Sequence, residues 1–348
     1  MIGIGVIGYG YWGPNLARCV SEVESSELVS IADFSPAARK RAASRYPSAR
    51  IEGEWQALVS DPEVDAVIVA TPTRWHFEIA LAALRAGKHV LIEKPMASSS
   101  WEAAILIEEA EGRGLTLMVD HTFVYTGAVQ KIRSLISDGA VGDVYYYDST
   151  RINLGLFQSD VNVIWDLAVH DLAILDFVMD ARPLAVSATG AGHILGSPEN
   201  MAHITLYLEG GATAHLNVNW LAPVKIRRTL IGGSQRMIVY DDVEPSEKVK
   251  VYDRGVSISE EQSGANSTDE IHRMLLNYRM GDVWVPQLSV REALLTEIEH
   301  FTACIENRQR PITNGSSGHR VVTLLESATQ SLKKRGHPVE LAEMKEAS

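Results

Sequence analysis

The sequence predicts an α/β protein in two parts. A parallel sheet covered by helices occupies residues 1–121, and an α+β domain with a large, mostly antiparallel open sheet occupies 122–348. Three observations predict it. Short apolar runs at 2–7, 28–32, 66–70, 89–92 and 115–119 alternate with longer amphipathic segments, the pattern of strands joined by helical crossovers. After Asp120 the alternation stops and strands follow one another without helices between them, which implies antiparallel pairing. At 348 residues the chain also exceeds what one ordinary core fills.

Taken in order, the first part opens on the 2–7 strand and runs directly into a glycine-rich turn. Within 77–86, Ile79, Ala80, Ala83 and Leu84 recur at helical spacing, and Gly87 follows as a C-cap. In the second part a helix over 127–137 leads through Asp138-Gly139 to an extended stretch at 144–152, then to a helix over 166–177. Strands are expected at 185–190, 202–208, 212–220, 227–232, 236–240 and 249–252, with Gly210-Gly211 closing a hairpin. Residues 254–267 are polar and read as a loop, and helices over 291–306 and 318–333 follow. A broad antiparallel sheet offers a face for self-association, so a homodimer or homotetramer through the C-terminal sheet is expected.

Composition narrows the function. Hydrophobic residues at 46% and charged residues at 22% suit a soluble globular enzyme. Against 32 Lys and Arg stand 44 Asp and Glu, a net charge of -12, which argues against a nucleic-acid partner. A local basic pocket for an anionic small substrate is still compatible with that balance. Cys19 and Cys304 form no CxxC or metal-ligand pattern and read as small buried residues, which fits a reducing cytoplasm. No apolar run reaches the length of a membrane span, and the first residues carry no basic leader, so a cytoplasmic location is expected.

Gly8-Tyr9-Gly10-Tyr11-Trp12-Gly13 is a GxGxxG placed directly after a strand and opening a helix, the context that makes the pattern specific. Gly8 permits the tight turn, Gly10 admits a pyrophosphate, and Gly13 lets helix and strand pack closely. The helix N-terminus supplies amide donors, and Pro14 is compatible with its first turn. Asp33 ends the second strand twenty residues after Gly13, where an acid binds the adenine ribose and repels a 2′-phosphate. NAD is therefore expected over NADP, although Arg39, Lys40 and Arg41 follow nearby and helix periodicity turns most of them to solvent. This is the signature of a Rossmann domain.

Two further stretches carry chemistry. Thr71, Pro72, Thr73 and His76, and then Glu93-Lys94-Pro95, stand at C-terminal strand ends, where open α/β sheets bind ligands. Lys94 there can polarise a substrate oxygen, or can be a solvated surface lysine. In Trp165-Asp166-Leu167-Ala168-Val169-His170, Asp166 and His170 are four apart and share a helix face. A carboxylate beside an imidazole makes a general base; the same pair can also be a surface hydrogen bond or half a metal site. No HExxH or third ligand accompanies it, so no metal is expected.

In order, GYGYWG, ATPTRWH, GKHVLIEKP and WDLAVHD resemble the glucose–fructose oxidoreductase/inositol dehydrogenase (Gfo/Idh/MocA) family, over nearly the whole chain. The resemblance implies hydride transfer between a sugar or cyclitol carbon and nicotinamide. Lys94 would contact the reacting oxygen, His170 would be the acid/base, and Asp166 would orient it. Tyr11, Trp12, Thr71, Pro72, Thr73, His76, Glu93, Lys94 and Trp165 join the glycines and Asp33 as expected cofactor-site residues. HTFVY (121–125), RINLGLF (151–157), DVNVIWDLAVHD (160–171) and NYRMGDVWVP (277–286) are similar to a bacterial subgroup. That subgroup oxidises the 3-hydroxyl of UDP-N-acetylglucosamine or its uronic acid, ahead of transamination. A diphosphate needs cations and donors, for which His121, Arg151 and Arg279 are candidates, and Tyr125 and Asn153 are candidates for sugar hydroxyls. The alternatives are an inositol or free-sugar dehydrogenase, a ketosugar reductase, and a non-catalytic NAD-binding sensor.

Overall fold

The computed structural model describes residues 1–155, 161–195, 197–258 and 276–341. Among them, six strands form a wholly parallel sheet in the order β3-β2-β1-β4-β5-β6: β1 Ile2–Ile7, β2 Ser26–Ala32, β3 Arg50–Glu52, β4 Ala66–Val69, β5 His89–Glu93 and β6 Leu117–Asp120. Helices cover both faces of such a sheet, so β1 and β4 are apolar at almost every position rather than alternating. The strand order reverses between β1 and β4, and the turns after these two strands flank that switch point. β3, only three residues long, was not among the expected strands; no periodicity can show in so short a run.

Nine described strands form the second sheet, β14-β13-β12-β11-β7-β10-β9-β8-β15. They are β7 Val144–Leu154, β8 Pro183–Ala191, β9 Met201–Leu208, β10 Thr213–Asn219, β11 Leu221–Gly233, β12 Met237–Asp241, β13 Val249–Ile258, β14 Leu276–Trp284 and β15 Val339–Glu340. All pairs are antiparallel except β10 with β7. Along β9, Ala202, Ile204, Leu206 and Leu208 are buried while His203 and Tyr207 are exposed, the alternation of a sheet covered on one face. The β9–β10 hairpin closes through Gly210 and Gly211, both at positive φ (78° and 86°), where side chains are strained.

Three expectations need correction. The helix expected over 166–177 opens instead as a π-turn, Ile164–Ala168, before the α-helix Val169–Val178. The loop expected at 254–267 is strand as far as Ile258, and residues 259–267 lie outside the described residues. Strands β14 and β15 were not anticipated.

By compactness, residues 1–127, 172–176 and 290–326 make one unit, and 128–171, 177–289 and 327–348 the other. The linear division at 121/122 therefore does not follow the packing. The helix Ala293–Asn307 and most of Gly315–Lys333 belong with the parallel sheet, where Ile298, Phe301, Val322 and Leu325 are fully buried. The connection is specific. Val119 N–H donates to the Thr313 carbonyl at 2.8 Å, and Asn314 bridges Met118 on the open edge of β6. Cys19 and Cys304 are both buried, and burial pushes the Cys19 thiol up to about 12. No described helix is long and apolar enough to cross a membrane.

Candidate active site

The three glycines of the turn after β1 do different work. Gly8 has φ +96°, and a Cβ there would come within 2.5 Å of the Ala70 carbonyl. A Cβ on Gly13 would fall 2.0 Å from the Gly8 carbonyl, so the helix Gly13–Glu22 starts in direct contact with the strand end. Above Gly10 nothing lies within 4 Å of that position. Trp12 caps the helix without a side-chain hydrogen bond, and Tyr11 beside it is 82% exposed. Open space over a glycine, next to a helix N-terminus with uncapped amides, fits a dinucleotide pyrophosphate.

Asp33 binds this turn to the end of β2. Its two carboxylate oxygens accept from Tyr9 N–H (2.6 Å) and Ser35 N–H (2.7 Å). Arg39 and Arg41 do not simply face solvent: Arg39 donates to the Asp33 and Phe34 carbonyls, both at 2.9 Å, and Arg41 to the Tyr9 carbonyl at 3.2 Å.

At the neighbouring strand ends, Thr71 and Thr73 are half-buried and Pro72 is exposed. His76, expected at the cofactor, is instead buried at the start of the helix His76–Arg85. Its Nε2 meets the Thr71 carbonyl at 2.7 Å and its Nδ1 the Pro95 carbonyl at 2.9 Å, which ties the turn after β4 to the turn after β5. Lys94 is the first residue beyond β5, half-buried and followed by a cis peptide to Pro95. The Glu93 carboxylate accepts the Lys94 N–H at 3.2 Å.

Parallel register sets Glu93 against Asp120, and both are buried. Burial, and next the charge of Asp120, hold the Glu93 carboxyl well above the usual range. Glu297, fully buried on the helix Ala293–Asn307, is raised by the same two causes. Neither Asp120 nor Glu297 was anticipated. Glu297 looks like any polar position of an amphipathic helix, so nothing in the sequence marked it.

Two expected substrate contacts in this unit have other surroundings. Tyr125 is buried, with its hydroxyl 3.0 Å from Thr313 Oγ1. His121 is also buried, and burial followed by the charge of Lys94 lowers its pKa to about 3. It is therefore neutral and no cation for a phosphate.

The second unit carries the DLAVHD segment. Asn162 caps the π-turn: its Oδ1 accepts from Ile164 N–H (3.2 Å) and Trp165 N–H (3.3 Å). Asp166 lies in this turn, half-buried, and its Oδ2 accepts from the Trp220 indole N–H at 3.0 Å. His170 follows at the start of the α-helix, also half-buried. The Trp165 indole, expected near the cofactor, donates to Thr329 Oγ1 at 3.0 Å.

Arg151, expected at a diphosphate, is paired inside the protein. It is 3% exposed on β7 and grips Asp171, with Nε to Oδ2 at 2.7 Å and Nη2 to Oδ1 at 3.1 Å. Ser149 donates a third hydrogen bond to Asp171 at 2.9 Å. Arg279 pairs with Asp253 at 3.0 Å between β14 and β13, and Asn153 is half-buried near the end of β7.

A parallel sheet in 3-2-1-4-5-6 order, a glycine turn open above its middle glycine and an acid ending β2 define an NAD-binding Rossmann protein. The sequence profile described as "Oxidoreductase family, NAD-binding Rossmann fold" matches residues 2–121, and that of the GFO/IDH/MocA C-terminal domain matches 129–239. The chain belongs to the Gfo/Idh/MocA family of oxidoreductases. It is 30% identical over 319 residues to UDP-N-acetylglucosamine 3-dehydrogenase of Acidithiobacillus ferrooxidans, covering 91% of this chain and 93% of that one. The solved structure of that enzyme superposes with a TM-score of 0.78 at 27% identity, over 96% and 99% of the two chains. The NADP-dependent scyllo-inositol 2-dehydrogenase of Bacillus subtilis is 26% identical over 361 residues, covering 96% and 94%.

Proposed function

We propose that this chain oxidises a secondary hydroxyl of a sugar with NAD, and that its substrate is a UDP-N-acetylhexosamine or the corresponding uronate, oxidised at the 3-hydroxyl. The likeness to UDP-N-acetylglucosamine 3-dehydrogenase along almost the full length of both chains carries this reading. Gly8, Gly10, Gly13 and Asp33 would hold the dinucleotide, with Tyr11, Trp12, Thr71, Pro72 and Thr73 around it. When bound, NAD supplies the hydride acceptor. His170 takes the hydroxyl proton as general base, and Asp166 orients it. Lys94 holds the reacting oxygen as negative charge develops there.

One observation favours a second reading, an inositol or free-sugar dehydrogenase. Of the three groups expected to meet a diphosphate, Arg151 is committed to Asp171, Arg279 is paired with Asp253, and His121 is neutral. Incubation with NAD and a panel of UDP-sugars, inositols and hexoses separates the two, read by near-ultraviolet absorbance of reduced nicotinamide and by mass spectrometry. Loss of two hydrogens from UDP-N-acetylglucosamine or its uronate supports the first reading. Turnover of inositol or hexose alone supports the second, and no turnover of any member returns the NAD-binding sensor. In the active case Lys94→Met and His170→Ala are each expected to lower kcat by about 100-fold or more while NAD still binds. The less buried face of the nine-stranded sheet is the proposed surface for homodimer or homotetramer formation.

A further inference from the structure

The Trp220 side chain is buried beside Asp166. It is 1% exposed and sits where β10 passes into β11. Its backbone N–H donates to the Asn200 carbonyl at 2.9 Å, and its carbonyl accepts from Gly155 N–H at 3.0 Å. The ring itself lies against Gly155: a Cβ there would come within 2.7 Å of Trp220 Cδ1. Residues that flank β7 and β9 thus hold the Trp220 backbone at the end of β10, and Gly155 leaves room for its ring. The indole N–H points at Asp166 Oδ2, 3.0 Å away.

Asp166 lies in the turn that precedes the helix Val169–Val178. It belongs to a π-turn, where backbone bonds reach five residues instead of four, and such turns recur at functional sites. Four-residue spacing on this turn does not place Asp166 and His170 as a regular α-helix would. The carboxylate orients through two side-chain torsions, and a hydrogen bond from a buried donor favours one orientation of it.

We propose that Trp220 is a positioning residue of the active site: its buried indole N–H sets the orientation of the Asp166 carboxylate, and through it that of His170. This rests on the assignment of Asp166 and His170 to proton removal. Trp220 does not touch the substrate in this scheme, so its loss acts on the chemical step and not on binding.

Trp220→Phe removes the N–H and keeps most of the packing. With the sugar that the panel identifies, kcat is expected to fall about tenfold, the cost of one hydrogen bond to a charged group, while KM and the NAD Kd stay within about twofold. The primary deuterium isotope effect, measured with substrate deuterated at the oxidised carbon, is expected to rise as hydride transfer becomes limiting. Unchanged kcat and isotope effect overturn the proposal. If Trp220→Phe does not fold, Gly155→Ala is read in its place; it keeps the indole but displaces it, and the same split is expected. A readout independent of turnover separates this inference from the functional reading. In the ¹⁵N-tryptophan spectrum of the whole protein, the Trp220 indole N–H resonance is expected to shift on Asp166→Asn. A resonance that does not move overturns the proposal whatever the substrate.

Discussion

A guanidinium and a carboxylate that are both 3% exposed are stable only as a pair. Removing one leaves the other charged and dry, so Arg151→Met is expected to lower unfolding free energy by about 3–5 kcal/mol, measured by guanidinium titration. Arg151→Met with Asp171→Leu should recover most of that loss, because two apolar side chains need no partner. The role was not legible in the sequence. Arg151 follows a run of polar residues, and its partner lies 20 positions later, so the pair exists only once β7 lies beside the start of the helix Val169–Val178. The place of Lys94, directly after β5, was legible because the motif follows an apolar run. Glu297 was not, and it carries a pH signature. The folded chain keeps a proton on this carboxyl that the unfolded chain releases above the ordinary carboxylate range, so its contribution to stability falls as pH rises there. Glu297→Gln removes that slope and offers its amide to Asp120. The variant's melting temperature should exceed the parent's by more at about pH 8 than at about pH 5.

At the scale of elements, the glycine turn after β1 gives the sharpest expectation. Gly13→Ala drives a methyl into the Gly8 carbonyl, which must move the start of the helix away from the strand. NAD affinity, measured by quenching of tryptophan fluorescence, should fall by about tenfold or more. Gly10→Ala meets no protein atom in the described structure, so any loss it causes belongs to the bound dinucleotide and not to the fold. The parallel strands other than β3 were legible because burial on both faces writes continuous apolar runs. The π-turn was not, since Asp166 and His170 sit at a spacing that an α-helix would also use. β15, two residues long, left no pattern, and β14 follows a stretch whose polar composition reads as loop.

For the molecule as a whole, the open face of the nine-stranded sheet leads to a prediction about assembly. Light scattering on a sizing column should give a mass that is a multiple of 38.2 kDa, and Tyr207→Glu, on that face, should shift it toward the single chain. A monomer at all concentrations would remove this surface from the account. Sequence reading placed the two sheets in the right order but divided the chain by position, whereas the structure divides it by packing. Helices Ala293–Asn307 and Gly315–Lys333 gave no sign of which sheet they cover, because an amphipathic stripe does not name its partner.

That allocation bears on how the protein is made. The edge of β6 stays uncovered until Thr313 and Asn314 have been synthesised, nearly two hundred residues after the strand itself. On a ribosome moving at about 5–20 residues per second, the cofactor-binding half therefore waits roughly ten seconds or more with an unsealed sheet edge. Its completion is a late event of translation, and a nascent chain stalled before residue 313 exposes the strand that a chaperone, or another chain, would reach first.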